Sequence, residues 1–161
     1  MIDPTYARTM AHYNQWFNER LYACCASLPE EELRKDRGAF FKSIFLTLSH
    51  LADADERFLA AWSGHPIQSE QERTFASFAA LQAARAELDA RITAWAANVA
   101  PAWLAEQRTF ASQVDGAPRT VQRAAFVVHM FNHQTHHRGQ VTTLLTQLGL
   151  DVGITDLHGS F

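Results

Sequence analysis

The chain has 161 residues, of which 47% are hydrophobic and 19% are charged, and its formal net charge is -3. This length and composition are typical of a globular protein with its own core, and we expect a single domain over residues 1–161. No basic face or block is evident, which argues against nucleic acid as a partner because phosphate binding needs clustered Lys and Arg side chains. No apolar run reaches about eighteen residues, so no membrane span is expected.

The start of the chain and its cysteines indicate a cytoplasmic protein. The first residues lack a basic stretch followed by an apolar segment, so they do not resemble a signal peptide. Cys24 and Cys25 are sequence neighbours, a poor arrangement for a disulfide. We therefore expect two free thiols that pack on a helix in a reducing compartment.

Apolar side chains recur at three- and four-residue steps in four long segments, which predicts four amphipathic helices. Four such helices in a chain of this length predict an all-α four-helix bundle. The expected helices span approximately residues 4–27, 40–62, 75–99 and 120–148.

Capping and helix-breaking residues support these boundaries. Asp3 followed by Pro4 is a typical helix start, with a capping side chain before a proline at the first helical position. Gly64 and Pro66 are expected to end the second helix, and Pro101 the third.

Two connecting segments have weaker signals. Residues 30–37 are charged and predict a loop or a short turn. Residues 107–122 predict a small hairpin or an ordered loop before the last helix, because Asp115-Gly116 favours a tight turn. Pro118 weakens the second strand of that hairpin, because proline has no backbone N–H to donate.

Four of the eight histidines fall in one nine-residue window of the last predicted helix. Residues four apart share a helix face, so His133 and His137 can bind one ion between them. Both lie on the apolar line of this helix, whereas His129 and His136 lie roughly 80–100° away from it. We therefore expect His129 and His136 at the surface or as outer groups of the site.

Polar rings on a core face must be satisfied, and a metal ion would satisfy both at once. The alternative is that His133 and His137 are buried and bonded to a carboxylate or carbonyl. Imidazole is the commonest metal ligand, and two of them with this spacing favour the metal interpretation.

A third ligand must come from another helix, as in sites with three protein ligands and an open position. The candidates are His50 and Asp55 on the second helix and His12 on the first. His50 lies roughly 160° from the apolar stripe of its helix, Asp55 lies on that stripe, and His12 lies off its own stripe. Asp55 fits a ligand and a buried hydrogen-bond acceptor equally well, so the residues alone leave the choice open.

Other polar residues near these positions have less specific interpretations. Arg138 follows His137 and could bind an anionic substrate, but pairing with a carboxylate is the interpretation we favour. Tyr13, Asn14 and Asn18 on the first helix are expected to pack or form contacts rather than line a cleft.

Three stretches of the chain are similar to the DinB family, bacterial proteins named for DNA-damage-inducible expression and also described as DinB/YfiT-like metalloenzymes. The third stretch is the most specific, and together the three cover nearly the whole chain. They are residues 13–21 (YNQWFNERL), residues 36–41 leading into residues 47–51 (TLSHL), and residues 132–140 (NHQTHHRGQ) followed by Leu148-Gly149.

The resemblance implies a four-helix bundle in up-down-down-up order that is often a homodimer. It also implies a three-histidine metal site, with one histidine from the second helix and an H-x-x-x-H pair from the last. At the matching positions these are His50, His133 and His137, which suggests that the site opens on one side of the bundle. One departure is Ser49, where the family pattern has Asn before the histidine.

Relatives in this family are thiol-dependent transferases and isomerases that use low-molecular-weight thiols. The resemblance therefore implies a metal-dependent transferase or hydrolase that acts on a small molecule in a stress or detoxification setting. Zinc is the expected metal, and nickel, manganese and iron also fit because histidine ligands discriminate weakly between them. The alternative is a non-catalytic metal-binding or sensing protein, whose metal would have a closed shell completed by Asp55 or a tail residue.

Overall fold

The computed structural model describes residues 2–63, 74–112 and 115–161, which form six α-helices, one two-stranded sheet and a short 3₁₀ helix. None of the helices in these ranges is both long and apolar enough to cross a membrane. In chain order the elements are α1 (Pro4–Cys25), α2 (Glu30–Arg34), α3 (Ile44–Ser63), α4 (Phe78–Asn98), α5 (Pro101–Ala105), β1 (Gln107–Ala111), β2 (Pro118–Gln122), α6 (Arg123–Gln147) and the 3₁₀ helix Leu157–Ser160.

The four long helices that the sequence predicts are α1, α3, α4 and α6, and each is shorter than its pattern suggested. The start of α1 is as expected, since the side chain of Asp3 accepts a hydrogen bond from the Tyr6 backbone N–H (2.9 Å). The predicted start of α3 at residue 40 is wrong, because residues 39–42 form a tight turn. Gly64 and Pro66, the expected end of this helix, lie outside the described residues.

The hairpin prediction is confirmed, and it shortens the last helix. β1 and β2 pair antiparallel, with Gln107 opposite Gln122 and Ala111 opposite Pro118. Proline stands at the first position of β2, where strands tolerate it. Gly116 has φ +70° in the connecting turn, a backbone conformation that favours glycine. Because residues 118–122 pair as a strand, α6 begins at Arg123 and not near residue 120.

The short helices α2 and α5 were not predicted. Glu30–Arg34 was expected to be a loop or turn, and Pro101 was expected only to end a helix. Each of these helices has five residues, too few to show the repeating apolar pattern that identifies a helix in a sequence.

The long helices pack around two apolar clusters with a polar layer between them. α1 and α3 each contact both α4 and α6. On α3 and α6, buried polar side chains lie between the residues of one apolar cluster and those of the other, and buried polar side chains of α1 and α4 bond to them. We call these side chains the polar layer; they are Asn14, Asn18, Asp55, Arg85, Asp89, Gln134 and Arg138.

The acidic side chains of the polar layer are held by Arg85 and by amide groups. Arg85 donates to Oδ2 of Asp55 (2.8 Å), which also accepts a hydrogen bond from the amide of Gln134. Asp89 accepts hydrogen bonds from the amide of Asn18 (3.0 and 3.1 Å) and lies 2.9 Å from Arg85. Because buried charges are costly without partners, this layer fixes how the four helices align.

Arg138 belongs to the same layer and is 1% exposed. Its guanidinium donates to the side-chain oxygen of Asn14 (2.6 Å) and lies 4.5 Å from the ring centre of Phe17. We expected Arg138 to pair with a carboxylate, and this prediction is wrong, because no carboxylate in the described part of the chain forms an ion pair with it. Burial lowers the pKa of this guanidinium to about 10, so it stays charged at neutral pH.

Candidate metal centre

Three histidines from two helices meet at one edge of the seam between α3 and α6. His50 is on α3, and His133 and His137 are one turn apart on α6. Nε2 of His133 lies 3.1 Å from Nε2 of His50 and 3.1 Å from Nε2 of His137. One nitrogen from each ring lies within 4.8 Å of the other two, so these side chains could hold a metal ion together.

These nitrogens cannot fully satisfy one another. An imidazole nitrogen carries either one N–H or one lone pair, so Nε2 of His133 can make one good hydrogen bond and not two. A divalent cation would accept a lone pair from each ring. Two nitrogens bound to zinc at about 2.0–2.1 Å in a tetrahedral arrangement lie roughly 3.3–3.4 Å apart, close to the observed separation. The donor set and its spacing therefore fit a metal.

The ring of His137 is oriented by Gln140 on the next turn of α6. Nδ1 of His137 lies 2.8 Å from Oε1 of Gln140, whose amide nitrogen lies 3.2 Å from Nε2 of His136. When Nδ1 donates its proton to Gln140, the lone pair of His137 is on Nε2 and points towards the other histidines. His136, which is exposed, is linked to the site through Gln140 and also meets the His137 ring edge-on, with the ring centres 4.7 Å apart.

The ring of His50 is supported by Phe41, which sequence reasoning missed. The two rings stack with their centres 4.1 Å apart and their planes 23° apart, and the same Phe41 ring meets His137 edge-on at 5.4 Å. Phe41 lies in a tight turn in which Lys42 has φ +64°, a costly conformation for a residue other than glycine. A four-residue turn has no periodic signal, so the sequence offers little to reveal this contact.

The environment keeps His133 and His137 neutral. Burial, together with the smaller repulsion of a second positive charge by His137 and His50, lowers the pKa of His133 to about 4. Burial also lowers the pKa of His137, although its hydrogen bond with Gln140 opposes the shift. Neutral imidazole is the form that binds metals, so the two rings of α6 are in the protonation state that a cation needs at pH 7.

The face of α6 that packs in the core differs by one residue position from the face that the sequence predicted. His137 is 7% exposed, but His133 is only half-buried. Gln134 and Arg138, each one residue further along the chain, face the core in their place. The histidine cluster therefore lies at the rim of the helical core, and half-buried His50 is within reach although it is off the stripe of its own helix.

The remaining candidate ligands lie elsewhere. Asp55 belongs to the polar layer, where Arg85 and Gln134 engage it, so the buried-acceptor alternative describes its contacts. Nε2 of His12 lies 2.7 Å from the backbone oxygen of Ser160 near the C-terminus. Within the described ranges, the group able to hold a metal consists of the three histidines alone.

His129 is exposed and also lies outside the cluster that could hold a metal. Its ring packs against Phe58 with the ring centres 5.6 Å apart, and it lies 6.0 Å from the ring centre of His133. The expectation that His129 lies at the surface or as an outer group of the site agrees with this arrangement.

Comparisons with known proteins agree with this fold. The model of the DinB family matches residues 1–160. Protein DinB of Bacillus subtilis (strain 168) is 22% identical over 162 residues, which cover 94% of this chain and 91% of that protein. The crystal structure of a DinB-like protein from Bacillus cereus ATCC 10987 has a TM-score of 0.62 at 19% identity, covering 86% of this chain and 89% of that one. Because the family match spans nearly the whole sequence, this protein belongs to the DinB family.

Proposed function

We propose that this protein binds one divalent cation through His50, His133 and His137 and uses it as a metal-dependent enzyme that acts on a small molecule. One observation carries the proposal: three imidazole nitrogens converge with separations that suit a common cation and not mutual hydrogen bonds. Zinc is the first choice, and nickel, manganese and iron remain compatible with three nitrogen donors.

The chain's own residues prepare the site. Gln140 fixes the proton of His137 on Nδ1, and Phe41 holds the His50 ring by stacking. Burial keeps His133 neutral. A divalent cation bound here would supply a Lewis acid that polarises a carbonyl group and favours the deprotonated forms of water and thiols.

Exposure supports an enzyme more than the non-catalytic alternative. A structural or sensing site with a closed shell needs a fourth protein ligand, and the candidates were Asp55 or a tail residue. Oδ2 of Asp55 is already bonded to Arg85 and Gln134 in the polar layer. His50 and His133 are half-buried, so solvent reaches their side of the cluster. An open coordination position for a substrate is therefore the arrangement we favour.

For the reaction, we propose a thiol-dependent transferase or a hydrolase, with a low-molecular-weight thiol as one partner in the first case. The stress or detoxification setting that we expected from the family fits a reaction between a small electrophile and a thiol or water. Membership of the DinB family and the three-nitrogen donor set both support this proposal.

The scaffold we propose is a single domain in which the four long helices form an up-down-down-up bundle. Side-chain contacts between the helices support this order. Gln15 contacts Thr93 and Asn18 contacts the earlier residue Asp89, so α1 and α4 run in opposite directions. Asp55 contacts Arg85 and Trp62 contacts Trp95, so α3 and α4 run in the same direction. His50 contacts His133 and Phe58 contacts His129, so α3 and α6 run in opposite directions.

We further propose a homodimer in the cytoplasm. Cys24 and Cys25 are both free thiols, as a reducing compartment would keep them. Burial raises the pKa of Cys25 to about 12 and also raises that of Cys24, so neither thiol is activated. The proposed thiol chemistry therefore needs an external thiol.

The homodimer is tested by light scattering of the purified protein, which measures the mass of the particle in solution.

Metal content tests the central proposal. Protein purified without a histidine tag should contain close to one divalent ion per chain, measured by mass spectrometry, or take one up on reloading. The double variant His133→Ala/His137→Ala should lose this ion and keep its helical circular dichroism. The matched control His129→Ala/His136→Ala removes two exposed histidines from the same window and should retain the metal.

Wild-type protein that binds none of zinc, nickel, manganese or iron would refute the metal proposal. If the metal binds, the enzyme proposal is tested by incubating cysteine or glutathione with an aryl halide and measuring thiol loss. Hydrolysis of an activated ester would test the second reaction. Metal-dependent turnover that the double variant lacks supports an enzyme, whereas full metal occupancy without turnover of either kind supports the non-catalytic alternative.

A further inference from the structure

A cavity lies between α3, β1 and α6, in the part of the α3–α6 seam nearest the hairpin. Its volume is about 110 Å³. Phe126 precedes His133 by seven residues, which is roughly 10 Å along the helix axis. The cavity is therefore separate from the histidine cluster, and its walls are Ala61, Trp62, Arg108, Phe110, Arg123 and Phe126.

Three of the six residues of the cavity wall are aromatic. Phe110 of β1 meets Phe126 of α6 edge-on with the ring centres 5.2 Å apart. Trp62 is 9% exposed and is held by Trp95, whose ring centre is 4.3 Å away. The space is smaller than the dry apolar cavity of about 150 Å³ that is known to hold benzene, so it holds at most one aromatic ring.

The two arginines of the cavity are in different electrostatic states. Arg123 is ion-paired with Glu106 (2.9 Å) and lies over the ring of Trp103 at 4.7 Å, so its charge is largely balanced. Arg108 has no carboxylate partner within the described part of the chain. It stands two residues before Phe110 on β1, which places both side chains on one face of the hairpin. The aromatic cavity therefore has one unbalanced positive charge beside it.

We propose that this cavity is a binding site for a small aromatic carboxylate. The ring of the ligand lies among Trp62, Phe110 and Phe126, and its carboxylate meets the guanidinium of Arg108. A guanidinium matches the planar, two-oxygen geometry of a carboxylate better than that of a spherical anion. The volume excludes ligands as large as nucleotides, and the charge selects against neutral or cationic rings. This proposal does not depend on metal at the histidine cluster.

Benzoate is the probe for this proposal, titrated into the full-length protein by calorimetry and by tryptophan fluorescence. The fluorescence of Trp62 and of its neighbours Trp95 and Trp103 should change on binding. We expect a dissociation constant of roughly 1 mM or below, a strength within reach of a nine-atom ligand. Benzyl alcohol, which keeps the ring and lacks the charge, should bind about tenfold more weakly or worse.

Two variants locate the site. Arg108→Gln, at an exposed strand position, should weaken benzoate binding about tenfold or more without loss of circular dichroism. The matched control Arg119→Gln alters the other strand of the hairpin, where Arg119 already pairs with Asp115, and should leave the affinity unchanged.

The proposal would be overturned if the wild type did not bind benzoate or if benzyl alcohol and benzoate bound with equal affinity. Equal losses of affinity in Arg108→Gln and Arg119→Gln would also overturn it. The double variant His133→Ala/His137→Ala should bind benzoate as tightly as the wild type, because the cavity lies elsewhere on the seam. Loss of benzoate binding in that variant would assign the anion to the histidine cluster instead.

Discussion

Two pairs of polar residues on α6 have the same spacing and different surroundings. His133 and His137 are four residues apart, and so are Gln134 and Arg138, displaced by one position. One position turns the side chain by about 100° around the helix axis. That rotation puts Gln134 and Arg138 in the core, at 0% and 1% exposure, and puts the histidine pair at its rim.

The two pairs also differ in how their polar atoms are satisfied. Gln134 donates to Asp55, and Arg138 donates to Asn14, so both are tied to neighbouring helices by protein contacts. The histidine nitrogens converge on one another, but Nε2 of His133 can form a good hydrogen bond with only one of its two neighbours. A buried polar group that has protein partners acts as scaffold, and a converging set that lacks them is a candidate site.

The largest expected effect tests the scaffold half of this comparison. Asp55→Ala leaves Arg85 and the amide of Gln134 without their shared acceptor in the core. We expect the free energy of unfolding to fall by about 3–5 kcal/mol, because buried Arg85 loses one of its two carboxylate partners and the Gln134 amide loses its acceptor. Urea denaturation of the purified variant measures the loss.

The matched control is Glu56→Ala, which removes an ion pair with Arg91 between the same two helices at the surface. Its expected loss is below about 1 kcal/mol, because solvent screens exposed pairs. Equal losses for the two variants would remove the distinction between a buried scaffold layer and ordinary surface charges.

The second-largest expected effect tests the histidine site. Gln140→Ala removes the acceptor that fixes the His137 tautomer, so the affinity for zinc should fall by about 10- to 100-fold. Competition with a chelating dye measures it. Gln147→Ala, at an exposed position near the end of the same helix, is the control and should bind zinc as the wild type does. Unchanged affinity in Gln140→Ala would mean that His137 is not oriented by this contact.

A smaller effect is expected from Phe41→Ala, which leaves the ring of His50 without its stacking partner. An aromatic pair contributes about 0.5–1.5 kcal/mol, so zinc affinity should fall by about twofold to tenfold. Phe40→Ala removes an equally large ring that is 83% exposed and should have less effect on zinc. If Phe40→Ala weakens zinc binding more than Phe41→Ala, the stack does not hold His50 in place.

The smallest expected effect is a pH dependence of the metal-free protein. The pKa of His133 is about 4 in the folded chain and about 6.5 in the unfolded chain, so between these values the unfolded chain binds more protons. The free energy of unfolding should therefore fall as the pH decreases through this window, and His133→Asn should lose less. Because His133 is half exposed, solvent reduces the size of this difference. If the free energies of unfolding of the wild type and of His133→Asn change with pH in the same way, the lowered pKa of His133 is contradicted.

Regular patterns in the sequence were enough to predict the four long helices and the hairpin. Apolar repeats identify α1, α3, α4 and α6, and Asp115-Gly116 identifies the turn between the strands. The spacing of His133 and His137 was likewise enough to place both rings on one side of α6, where the structure brings them together.

The remaining features depend on contacts between elements distant in the sequence. Gln134 and Arg138 interrupt the apolar pattern, so the predicted core line of α6 passed through the histidines instead. His50 seemed misplaced on its own helix because its neighbours are provided by α6 and by Phe41. The residues alone left the choice between His50, Asp55 and His12 open, because a helical wheel contains no information on which helix packs alongside. The resemblance to the DinB family selected His50.

The half-exposed position of His50 and His133 has a consequence for the lifetime of a bound ion. Solvent reaches the cluster without any helix leaving the core, so a cation can enter and leave faster than the chain unfolds. Chelators should strip it from an intact fold. The identity of the metal would then follow the free concentrations and intrinsic affinities of the ions in the cell rather than the one present during folding.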